Sequence, residues 1–190
     1  MSEESYGAFA QELHREFPRF ALVDKSQSPS QKVIDVLLRI VTLGQNRHYL
    51  SHVITTFGQR VYVPPTWEAM DPVDRIIILR HEAVHIRQYK RFTWPGMMLL
   101  YLFLPLPLFF AGGRAFIELE AYKETLTATW ELRGPEAARA TSLRDQIVQR
   151  FTGSDYGWMW VHGRMIRRAL QRHLESLEVS RESTGLGPKP

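Results

Sequence analysis

Apolar positions along the chain change period several times, and each change marks an element. Val33, Val36, Leu37, Ile40 and Val41 recur three and four apart, which places them on one face of a helix. Ser28 can cap that helix, Pro29 suits its first turn, and Gly44 ends it. A shorter helix is read over residues 6–17. In residues 53–63 the pattern turns strand-like. Val53-Ile54-Thr55-Thr56-Phe57, Gly58-Gln59-Arg60 and Val61-Tyr62-Val63 read as strand, short turn and strand, stopped by Pro64-Pro65, a pair that belongs at a sheet edge. Asp71 then caps a helix that begins with Pro72 and meets no breaker before Arg91. Its middle, Ile76-Ile77-Ile78-Leu79, is apolar around the whole circumference, which predicts a buried helix. Further helices are predicted over residues 114–133, ended by Gly134-Pro135, over 135–151, and over 158–177. The expected fold is α+β: mainly helical, with a small antiparallel edge sheet.

With 190 residues, 44% of them hydrophobic, the chain can build one sizeable core. Residues 1–179 are read as a single domain, and 180–190, polar and rich in Gly and Pro, as a disordered tail. Cysteine is absent, so there is no disulfide framework and any metal must be held by histidine and carboxylate. The acidic N-terminus, Met1-Ser2-Glu3-Glu4-Ser5, lacks a secretory pattern, which suggests a cytoplasmic protein. The net charge of +4 is spread among acids, so no nucleic-acid partner is expected. Its densest basic stretch, with Arg164, Arg167, Arg168 and Arg172, reads as the solvated face of an amphipathic helix.

Residues 92–113 contain no charge until the stretch ends before Arg114, and 97–111 is almost wholly apolar. Its length would admit a membrane span, but Pro95, Pro105 and Pro107 argue against a regular helix there. A buried connection, shaping an apolar pocket, and a peripheral membrane contact through 97–111 remain as readings.

The candidate chemistry sits on the buried helix as His81-Glu82-Ala83-Val84-His85. Residues four apart on a helix project from one face, so two imidazole nitrogens can reach one tetrahedral Zn2+. Glu82 lies beside them, placed to take a proton from a zinc-activated water. Two histidines hydrogen-bonded inside a buried helix would be the plainer alternative.

The strand-like 53–63, the His81-Glu82-Ala83-Val84-His85 helix and the downstream Glu118-Leu119-Glu120-Ala121-Tyr122 together resemble the gluzincin metallopeptidases, thermolysin-like proteins with compact minigluzincin members. The resemblance covers roughly residues 50–125. It implies a zincin-like domain that hydrolyses peptide or protein substrates, with His81, His85 and Glu118 as zinc ligands and Glu82 as general base. It also implies an edge strand that pairs with extended substrate. The chain departs from the family where an aspartate commonly follows the third ligand by four residues; Tyr122 stands there. A phenol oxygen can accept a histidine N–H but carries no charge at neutral pH. Tyr156 and His162 are the candidate transition-state donors; the plainer alternative is that Tyr156 and Trp158-Met159-Trp160 cover the core. A helical wheel over 114–133 separates the two nearby acids. Glu120 shares an arc with Lys123, Glu124, Thr127 and Glu131, whereas Glu118 is the only acid beside Ala121, Tyr122, Thr125, Thr129 and Leu132. Pairing of Glu118 with Arg114, four residues earlier, is the plainer alternative to a metal. A non-catalytic zinc domain acting in protein interaction is the alternative function.

Overall fold

The computed structural model describes residues 3–25, 54–102, 111–153 and 162–183. These form a mainly helical α+β fold with one three-stranded sheet. The predicted helix around Val33–Val41 lies outside the described residues, as do Tyr156 and Trp158-Met159-Trp160. The chain divides into two compact units, Met1–Trp94 and Pro95–Pro190.

In the first unit, α1 (Glu3–Glu16) leads into β1 (Ala21–Asp24), followed after residue 54 by β2 (Thr55–Phe57) and β3 (Arg60–Val63). Strands β2 and β3 pair antiparallel, as expected. Their loop is the two residues Gly58-Gln59, with Phe57 opposite Arg60. Gly58 has φ 62, the left-handed backbone that a two-residue hairpin needs at its first position. The sheet is mixed rather than purely antiparallel, because β1 adds in parallel to the other side of β3, Leu22 opposite Val61. Strand β3 is therefore central, and Val61, Tyr62 and Val63 are all buried.

A 3-10 turn (Trp67–Ala69) precedes α2 (Pro72–Leu102). Asp71 caps α2 as predicted, its Oδ1 accepting the Val73 N–H at 2.8 Å and the Asp74 N–H at 3.4 Å. Leu79, Ala83 and Ile86 recur on one face of α2 and pack with Leu13, Phe17, Phe20, Val61, Val63 and Trp67. Full burial of each large apolar side chain is worth about 1.5–3 kcal/mol, so this cluster fixes the helix against sheet and α1. Arg75, 1% exposed, forms ion pairs to Glu3 and Glu68 and has the Tyr6 ring 4.1 Å below its guanidinium, while its Nε meets no hydrogen-bond partner among the described residues.

Helix α2 breaks at Thr93 (φ 61, ψ 169). The cause is two residues on: a proline ring inside a helix collides with the carbonyl four residues back, and Pro95 also lacks an N–H. Among the described residues, no helix is long and apolar enough to cross a membrane.

The second unit contains α3 (Ala111–Arg133), α4 (Pro135–Arg139), α5 (Thr141–Thr152) and α6 (Gly163–Ser183). Gly134, φ 90, ends α3 with its N–H on the Trp130 carbonyl, and Pro135 opens α4. The single helix expected over 135–151 is two, because Ala140 leaves helical geometry (φ −53, ψ 128). Nothing in Ala137-Ala138-Arg139-Ala140 disfavours a helix, and Ala138 is fully buried in the core. Ile166, Leu170 and Leu174, four apart on α6, join Leu126, Ile147, Val148 and Phe151 in one apolar cluster. Helix α6 continues through Ser183, into the stretch read as a tail. Ser180 and Ser183 keep it helical by bonding back to the Ser176 and Ser180 carbonyls.

Candidate metal centre

His81 and His85 stand one turn apart on the buried stretch of α2, their ring centroids 5.0 Å apart and their planes at 76°. Both are buried, at 8% and 7% exposure. Glu118, on α3, is 3% exposed, whereas Glu120 is exposed to solvent. One ligand atom from each of His81, His85 and Glu118 lies within 4.8 Å of the other two, close enough to hold a metal ion.

The donor set fits a borderline-soft divalent cation. Two neutral imidazole nitrogens and one carboxylate oxygen form the kind of set that binds zinc with a fourth position left open. A negative charge at Glu118 in so buried a place is costly without a compensating cation, and a bound metal would supply one.

His85 is held in place from behind. Gln88, itself 2% exposed, sets its Oε1 2.9 Å from His85 Nδ1. An amide oxygen can only accept, so Nδ1 carries the proton and the Nε2 lone pair is left as the donor atom. Support of this kind fixes both tautomer and ring orientation. The sequence offered Tyr122 for such a role; its half-buried ring packs on Phe151, centroids 5.5 Å apart.

Glu82 is 6% exposed and is not one of the three grouped residues. Its Oε2 accepts a hydrogen bond of 2.6 Å from the Thr56 hydroxyl on β2. Thr56 shares a sheet face with its cross-strand partner Val61, and Val61 packs with Leu79, Ala83 and Ile86 of α2. The strand thus presents a hydroxyl directly to the helix that carries Glu82. Neighbouring Thr55 points to the other face, where its Oγ1 accepts from Lys25 Nζ at 2.8 Å.

Gln88 and Thr56 are the two residues around this centre that sequence reasoning missed. Gln88 had a signal, since it lies three residues past His85 on the same helix face. Thr56 had none, being 26 residues from Glu82. His162 is exposed at the start of α6, in the second unit. No family model matches this chain, and no curated protein or solved structure matches it significantly.

Proposed function

We propose that this chain is a zinc-dependent peptidase, of the gluzincin type its motif resembles. The observation that carries the reading is a division of labour among four buried groups. Ligand atoms of His81, His85 and Glu118 lie close enough together to hold a metal ion, while Glu82 is not one of that group and accepts a hydrogen bond from Thr56.

Zinc bound at such a set supplies a Lewis acid and brings the pKa of water toward ~7. The remaining chemistry falls to the chain's own residues. Glu82 takes the proton from the attacking water as the carbonyl carbon is attacked. It then delivers that proton to the departing amide nitrogen as the C–N bond breaks. The Thr56 hydroxyl holds one carboxylate oxygen, so the base keeps one orientation throughout both transfers. Gln88 keeps His85 in the tautomer that can ligate. Strand β2 lies at the edge of the described sheet, where an extended peptide can add by backbone hydrogen bonds.

The test couples metal content to turnover of a peptide library. Glu82→Gln is expected to retain one zinc per chain while hydrolysis falls by about 10²–10⁴-fold. Loss of zinc from the variant would reassign Glu82 as a ligand. Undiminished hydrolysis would refute its role as base. A wild-type protein that holds zinc but cleaves nothing in the library would leave a metal centre without this activity.

A further inference from the structure

Helices α5 and α6 enclose an open groove of ≈ 1220 Å³ whose walls carry Arg144, Arg164, Arg167, Arg168 and Arg172, against a single acid, Asp145. The groove therefore holds a net +4, the same as the formal charge of the entire chain, so all other charged residues balance one another. Asp145 is committed to Arg167, at 2.9 Å. Arg144 is met by uncharged groups, the Gln171 Oε1 at 2.9 Å and the Thr141 hydroxyl at 3.4 Å. Among the described residues, no carboxylate pairs with Arg144, Arg164, Arg168 or Arg172.

This arrangement works against the stability of α6. Arg164, Arg168 and Arg172 follow at intervals of four, so like charges face one another along the helix, which is destabilising. They also occupy its N-terminal half, where the backbone dipole is positive and carboxylates are favoured, yet the first turn holds no acid. An external anion resolves both conflicts. Every cation in the groove is arginine, whose planar fork engages phosphate oxygens in pairs.

Two features identify what carries the phosphate. Met165 stands in the groove wall between Arg164 and Arg168 and is 54% exposed, an apolar side chain set among charges. A lipid boundary would bury it. Among the described residues the groove lining contains no Phe, Tyr or Trp, which a single-stranded nucleic acid would use for stacking. The apolar side of α6 is already committed to the core through Ile166, Leu170 and Leu174, so the helix presents its basic side without leaving the fold. We propose that this groove docks on an anionic phospholipid membrane, with phosphate groups against Arg144, Arg164, Arg168 and Arg172 and Met165 dipping into the interface.

Vesicle co-sedimentation of the intact protein tests this. Binding is expected to vesicles containing phosphatidylserine but not to phosphatidylcholine alone, and to vanish near about 0.5 M salt, where surface charges are screened. Arg164→Glu with Arg168→Glu is expected to weaken binding by roughly thirtyfold or more. The same change in net charge at Arg15 and Arg19, exposed on the other unit, should leave it within about threefold. The groove variant places acids where the helix dipole favours them, so it should unfold no more readily than the parent. Met165→Ser should weaken binding by a few-fold. Equal losses in the two charge variants would overturn the proposal, as would indifference to phosphatidylserine. So would tighter binding to poly(U) RNA at the same salt, or binding of soluble inositol hexakisphosphate by a protein that ignores vesicles.

Discussion

The two compact units bury different kinds of side chain. In Met1–Trp94 the interior holds Lys25, Arg75, His81, Glu82, His85 and Gln88, four of them within eight residues of α2. In Pro95–Pro190 the buried polar groups among the described residues are Glu118 and Thr129, surrounded by an apolar cluster of helices. A buried polar or charged group costs stability unless it is satisfied, so the first unit needs dedicated partners. They are present: Glu3, Glu68 and Tyr6 around Arg75, Thr56 on Glu82, Gln88 on His85, Thr55 beside Lys25. The second unit is stabilised by ordinary core packing and carries its charge outside. Glu118 is the exception. Buried polar groups and apolar helix packing thus predominate in different parts of one chain.

Removing apolar volume from the second unit should therefore produce the largest loss of stability. Phe151 is fully buried at the centre of the cluster, and Phe151→Ala is expected to cost about 3–5 kcal/mol in urea unfolding. A change under about 1 kcal/mol would mean that this core is loosely packed and the contrast false.

Next in size is the effect on Glu118, the one buried carboxylate among the described residues of that unit. Glu118→Ala should lower zinc affinity by more than about 100-fold, beyond what loss of a supporting residue produces, while Glu120→Ala, at an exposed position, barely changes it. Competition with a chelating dye measures both. The reverse order would show that Glu118 is part of the core and not of the metal centre.

The smallest expected effect is on pH dependence. Burial, with help from nearby Lys123, holds the His173 pKa below its usual 6.5, and its Nε2 lies 2.9 Å from the Thr127 hydroxyl. A depressed histidine pKa means that the unfolded state binds the proton more readily. The associated stability is full above 6.5 and declines as pH falls through the lower folded value. Because His173 is only partly buried, solvent screening keeps the effect modest. Urea unfolding at pH 7.5 and at pH 5.5 should show a drop that His173→Gln diminishes; an identical drop in the variant would place the titrating group elsewhere.

Much of the α2 region was legible from sequence. Asp71-Pro72 marked the start, the apolar run Ile76–Leu79 marked burial, and the four-residue spacing put two histidines on one face. The wheel separated Glu118 from Glu120 as burial does, because a helix rotates by a constant angle per residue. What escaped were features set by distant partners. Strand β1 is four residues long and has meaning only through parallel pairing with Arg60–Val63. The Thr56–Glu82 bond joins a strand to a helix across an intervening hairpin. The break at Ala140 lies in a run of residues that all favour helix, so no local pattern records it.

The edge strand has one more consequence. An uncovered strand edge is a template for any stray extended chain, including another copy of the same segment, and is a route to aggregation. Strand β2 is three residues long, about 10 Å of backbone. Both of its threonines are tied to side chains of other elements, and half-exposed Phe57 meets Tyr89 edge-on at 6.2 Å. Among the described residues, the brevity of β2 and the anchoring of its side chains limit its use as a template for a growing stack.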